Sequence, residues 1–175
     1  YYGGKQRFPM VSDDLMEAVD KADSARYDIQ DILKPRGWTF LNYLMDARTG
    51  LGRFRDFRIS NYQLMMKLIG CCRDMPIDEI LALPDVKERV DLYFAQQEQF
   101  VEQVKRVAEV HRNLVVLDLR DEPVIHAGNR FIVYALFPQC DISMHVMWGR
   151  EKMNTVYTVG KSIFDRGNKV MVGEL

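Results

Sequence analysis

Leu114–Gly160 reads LVVLDLRDEPVIHAGNRFIVYALFPQCDISMHVMWGREKMNTVYTVG, and the periodicities inside it decide the fold class. Leu114-Val115-Val116-Leu117 is a short apolar run of the buried-strand kind. Asp121-Glu122-Pro123 is a turn. Asn129 stands where it can cap a helix that runs to Leu136 and stops at Pro138. Ile142, Met144, Val146 and Trp148 then alternate with Ser143, His145 and Met147, the period of two that a half-buried strand requires. Gly149–Asn154 turns the chain, and Thr155–Val159 returns as a second strand. Gly160–Lys169 reads as a polar loop, with a helix opening at Val170. Residues 113–175 are therefore a strand-helix-strand-strand stretch.

The texture on the N-terminal side is different. Ser12-Asp13-Asp14 supplies an N-cap and acid in a first turn, followed by Leu15, Val19 and Ala22, which predicts a helix over 13–22. A short helix over 29–33 is stopped by Pro35 and Gly37. Trp38–Met45 is apolar throughout and is read as a buried helix. Ser60-x-x-Gln63 is a capping box ahead of a helix over 61–72. Pro76 opens a short helix ending near Leu83. Asp85-x-x-Glu88 is read as the cap of a long helix over 86–110, on which Val86, Val90, Tyr93, Gln97, Val101, Val104 and Ala108 recur every three or four residues. Helices up to about residue 110 and a mixed stretch beyond it give an α/β chain, with the long helix as connector between two lobes.

Composition narrows the function classes. With 47% hydrophobic and 28% charged residues the chain is an ordinary globular one. A formal net charge of -1 supplies no global field toward nucleic acid or membrane, so any anion site comes from local clustering. No apolar run approaches the ~18 residues of a spanning helix. Cys71, Cys72 and Cys140 form no metal-ligand pattern, and an odd thiol count suits a reducing cytoplasm. Tyr1-Tyr2-Gly3-Gly4 reads as a helix end with a glycine stop, and Val172–Leu175 as the start of an amphipathic pattern. Both suggest part of a longer protein.

Three clusters carry chemistry. Asp20 and Asp23 lie three apart near a helix C-terminus, unfavourable for each other and for the dipole. A hard cation relieves that repulsion, and so does a solvated acidic face with Lys21 and Arg26 as partners. The loop Arg48-Thr49-Gly50-Leu51-Gly52-Arg53-Phe54-Arg55-Asp56-Phe57-Arg58 sets four arginines against one aspartate. Guanidinium forks and glycine-exposed amides suit phosphate, and Phe54 and Phe57 suit base stacking. In the other reading the two Phe are core anchors and the arginines form salt bridges. Lys161, Ser162 and Arg166 lie in a strand-to-helix loop that either grips phosphate or is a plain connection. His111, at the end of the long helix, His126 and His145 have no metal-type spacing, and no nucleophile elbow occurs.

VSDDLMEAVDKADSA, MDARTGLGRFRDFRISNYQLMMKLI and GNRFIVYALFPQCDISMHVMWGREKMNTVYTVGKSIFDRGNKVMVGEL together resemble the DHH-family phosphoesterases, and more narrowly their exopolyphosphatase-like branch. The resemblance implies a two-lobed hydrolase: residues 1–105 as the later part of the DHH lobe plus connector helix, and 106–175 as the start of a DHHA1 substrate lobe. It implies two divalent ions, manganese or magnesium, and a phosphorylated small molecule or short oligonucleotide as substrate. A homodimer is compatible with it. By the same resemblance Asp23 is a metal ligand, with Asp20 as companion. Lys161, Ser162 and Arg166 meet substrate phosphate, while Arg48, Arg53, Arg55 and Arg58 match the branch pattern. The DxD, DHH and GGGH motifs of the family do not occur in the 175 residues, so the chain alone is expected to be inactive. A different class remains open: a non-catalytic single-stranded nucleic-acid-binding module built on the Arg/Phe/Gly loop.

Overall fold

The structure, a computed structural model, describes residues 4–7, 9, 11–51 and 56–164. It is mixed α/β and divides into two compact units, residues 1–95 and 96–175. The boundary expected from sequence was at 105/106.

The first unit is helical. Its elements are α1 (Gly4–Arg7), α2 (Asp13–Ser24), α3 (Ile29–Leu33), α4 (Gly37–Met45), α5 (Asn61–Asp74), α6 (Ile77–Ala82) and the first part of α7 (Pro84–Val107). Local chemistry sets the ends. The Ser12 hydroxyl accepts from the Leu15 amide, and Ala25 ends α2 in the left-handed region at φ 49°. Ser60 and Gln63 form the expected capping box on α5, and Asp28 with Asp31 forms a second one on α3. Ile32, Leu44, Leu64, Ile80, Val86 and Tyr93 are at most 1% exposed and make the core. Phe40 meets Tyr93 edge-on at 5.1 Å between centroids, a geometry aromatic pairs favour.

The second unit is built on one sheet. Its strands are β1 (Ala108–His111), β2 (Leu114–Asp118), β3 (Ile142–Trp148) and β4 (Thr155–Lys161), in the order β1-β2-β3-β4. β2 and β3 are parallel, joined through α8 (Ile132–Leu136), and the outer pairs are antiparallel. Val115 pairs with Ser143 and Leu117 with His145. Val115 and Leu117 pack with Val104 of α7, Val133 of α8 and Cys140. The Tyr134 hydroxyl lies 2.8 Å from Ser143 Oγ, so the polar Ser143 is satisfied inside the core.

Four expectations are corrected. The long helix does not reach Val110: it stops at Val107, and Ala108–His111, with His111 as its last residue, is β1. Arg112 takes φ 58° at the turn, and residues 108–111 pair with 114–117, so ladder bonds replace helical ones. Asp85 is not a cap, because α7 begins at Pro84 and the Asp85 carboxylate is turned to Arg58 and Lys67. Gly160 and Lys161 belong to β4 rather than to a loop, since they pair with Ser143 and Ile142. Gly4 opens α1 instead of stopping a helix, while Tyr1–Gly3 and the helix expected from Val170 lie outside the described residues.

The loop after β2 is fastened to α7. Gln103, 3% exposed, donates to Glu122 Oε2 at 2.6 Å and to the Val124 carbonyl at 2.7 Å, and accepts from the His126 amide at 3.1 Å. Arg106 donates both terminal nitrogens to Glu122, at 2.6 and 2.7 Å. Arg106, then Gln103, holds the Glu122 carboxyl down at about 2 instead of its ordinary 4.5. A carboxyl depressed on folding stabilises the folded state fully above pH 4.5, and that contribution disappears as pH falls through about 2. Stability of the sheet unit is therefore expected to decline from pH 4.5 toward 2. Glu122→Gln flattens that decline, and an equally steep decline in the variant, followed by circular dichroism, excludes this pair as its source.

Candidate functional site

Asp20 and Asp23 sit in the last turns of α2, both exposed. Neither carboxylate has a hydrogen-bond or salt-bridge partner among the described residues. Lys21, the partner considered from sequence, pairs instead with Glu17 at 3.8 Å and Asp31 at 3.5 Å. Two unpaired carboxylates at the negative end of a helix are a site that a cation would stabilise. They are not a cage. Among the described residues no group of three or more His, Cys, Asp or Glu stands close enough to hold a metal ion. The residues present therefore do not by themselves fit a two-metal centre.

The arginine-rich loop divides into paired and undescribed members. Arg48 donates Nε to both oxygens of Asp46, at 2.8 and 3.0 Å, and its amide joins at 2.9 Å. Gly50 takes φ 81° directly after, a conformation only glycine adopts without strain. Arg58 donates Nε and Nη2 to Asp85 Oδ1 at 2.9 and 2.5 Å, and Lys67 reaches Asp85 Oδ2 at 2.8 Å. These two bonds, Lys67 first, hold the Asp85 carboxyl below the usual carboxylate range. Arg53 and Arg55 lie outside the described residues, as does Phe54.

The centre of this network is a residue that sequence reading passed over. Arg89 has a fully buried side chain. Its Nη2 donates to the Ile59 carbonyl at 2.9 Å and to Asn61 Oδ1 at 2.9 Å; Nη1 reaches the Asp85 carbonyl at 2.7 Å and Glu88 at 3.0 Å. Its guanidinium lies 3.9 Å from the centroid of Phe57. Phe57 is thus a packing anchor for Arg89, and Arg89 fastens the Asp56–Asn61 segment to α7. The signal was present: Arg89 falls between Val86 and Tyr93 on the apolar stripe of α7, where a solvated charge has no place.

The second unit carries the remaining candidates. Lys161 is the last residue of β4 and is half-buried. Ser162 is 8% exposed, its hydroxyl accepts from the Phe164 amide at 3.2 Å and its amide donates to the Asp141 carbonyl at 2.7 Å. That geometry shapes the exit of β4. Arg166 lies outside the described residues. The His145 ring is buried on the sheet with Nε2 unpartnered, and burial pushes its imidazole down, so it is neutral at physiological pH. Asp20, Asp23, Arg48 and Arg58 belong to the helical unit, and Lys161 and Ser162 to the sheet unit.

No family model matches the chain, and no curated protein is similar to it. Among solved structures, the chain is similar to the pGpG-specific phosphodiesterase PggH from Vibrio cholerae. The likeness extends over 99% of the chain at 57% sequence identity, with a TM-score of 0.90. The chain spans 58% of the length of that protein. The match supports a phosphoesterase and the α/β fold. It does not support the exopolyphosphatase-like branch. Among the described residues, no helix is long and apolar enough to cross a membrane.

Proposed function

We propose that the protein to which this chain belongs is a phosphodiesterase of short guanine oligonucleotides such as pGpG. The observation that carries the reading is the similarity to PggH at 57% identity over 99% of the chain. Hydrolysis of pGpG adds one water across the internucleotide phosphodiester and yields two molecules of GMP. Manganese or magnesium is proposed as cofactor of the whole protein, in the cytoplasm, with Asp23 and Asp20 contributing to its binding. The ligand set among the described residues is incomplete, so the 175 residues alone are expected to be inactive.

The nucleic-acid-binding alternative is less well supported. Arg48 and Arg58 are engaged by Asp46 and Asp85, and Phe57 lies under Arg89, so three side chains of that loop are already occupied. Substrate choice separates the remaining readings. The whole protein with manganese, offered pGpG and inorganic polyphosphate in parallel, is expected to consume pGpG alone. Consumption of polyphosphate alone would assign it to the exopolyphosphatase-like branch instead.

A further inference from the structure

The start of α4 faces a cleft of about 240 Å³ whose walls are α2 and the segment 36–39. Two kinds of hydrogen-bonding groups meet there. The donors come from the helix start. Phe40 is the first residue of α4 whose amide bonds within the helix, to the Arg36 carbonyl at 3.2 Å. The amides of residues 37–39 precede it, Arg36 supplies no side-chain cap, and the first turn holds no acid. Such amides require an acceptor. Thr39 gives an independent sign of a ligand: it is 8% exposed, lines the cleft, and its hydroxyl has no hydrogen-bond partner. The Arg36 guanidinium lines the same space and pairs with no carboxylate.

The acceptors come from α2. Asp14 and Glu17 both line the cleft. Asp14 Oδ2 accepts from the Trp38 indole at 3.0 Å, which fixes ring and carboxylate together. Hydrogen bonds from Ser12 and Trp38 also hold the Asp14 carboxyl below its ordinary range, so it is ionised at neutral pH. Glu17 is bound only loosely, to Lys21 at 3.8 Å, with 73% of its side chain exposed. A bare phosphate suits the donors but is repelled by the two carboxylates. A ligand with donors and acceptors side by side suits both.

We propose that this cleft is a guanine subsite, in which Glu17 accepts the N1–H and N2–H of the base and the 37–39 amides, Thr39 and Arg36 donate to its O6 and N7. The inference rests on the reading of the substrate as a guanine dinucleotide. Guanine places two N–H donors beside a carbonyl acceptor on one edge. Adenine puts an acceptor at N1 and a donor at N6, and so reverses the match to both walls. The cleft falls just below the ~300 Å³ at which small-molecule sites begin, a size for one base and not for a dinucleotide.

Calorimetric titration of the whole protein without metal, using GMP, AMP and inorganic phosphate, tests the assignment. GMP is expected to bind at least tenfold more tightly than AMP. Glu17→Gln, at an exposed position that leaves thermal stability unchanged, is expected to reduce GMP affinity about tenfold and leave AMP affinity unaltered. Thr39→Val provides a second variant, also expected to weaken GMP more than AMP. Equal affinities for GMP and AMP, displacement of GMP by phosphate as readily as by AMP, or a Glu17→Gln protein with unchanged GMP affinity each overturn the subsite. Hydrolysis of pGpG with any of those results leaves the proposed function standing and removes only the cleft. GMP preference lost in Glu17→Gln, in a protein that does not cleave pGpG, does the reverse.

Discussion

Replacing Arg89 with alanine lowers the stability of the helical unit by about 3 kcal/mol or more, the range found when one member of a buried ionic network is removed. The size follows from what is left behind. The Ile59 carbonyl and the Asn61 amide oxygen lose their guanidinium donors, and Phe57 loses the cation stacked on its face. Unsatisfied buried acceptors cost about 1–3 kcal/mol each, and the emptied volume adds to that. At roughly 2–4 °C per kcal/mol for a chain of this size, the melting transition falls by about 10 °C. Arg89→Lys keeps the charge but loses the planar fork, so it is expected to recover less than half of the loss. Thermal melts of the three proteins decide the matter. A shift below about 2 °C for the alanine variant would mean that the Asp56–Asn61 segment is held by something else.

Asp23→Asn in the whole protein is the second large effect, this time on activity. The substitution preserves size and helix end but replaces a carboxylate with a neutral amide, a poor ligand for manganese or magnesium. Hydrolysis of pGpG is expected to fall at least ~100-fold, beyond the 10–100-fold typical of residues that only support a metal ligand. Because Asp23 is exposed and makes no hydrogen bond or salt bridge in the structure, its melting temperature is expected to stay within a degree or two of the parent. Manganese binding, measured by titration, is expected to weaken in parallel. Normal turnover in the variant would return Asp20 and Asp23 to an ordinary solvated helix end.

What was legible in the sequence was local. Ser12, Ser60 and Gln63 announce their helix starts because each bond spans three residues or fewer, and Ile142–Trp148 announces a strand because alternation is a property of the strand itself. What was illegible depended on partners distant along the chain. Ala108–His111 continues the helical spacing of α7 and becomes a strand only because 114–117 folds back beside it. Asp85 looks like a cap until Arg58 and Lys67, 27 and 18 residues away, are seen to claim it. The candidate site shows the same division. KADSA and the arginine loop were visible as motifs, but the engagement of Arg48 by Asp46, the Arg89 clasp and the meeting of Glu17 with the start of α4 are tertiary facts.

The account stands most directly on the fate of one molecule. Whole protein is mixed with pGpG and manganese, and the products are separated by chromatography. Two GMP for each pGpG consumed, with Asp23→Asn inert, is the expected result. Intact pGpG after prolonged incubation with folded, manganese-loaded protein would contradict it.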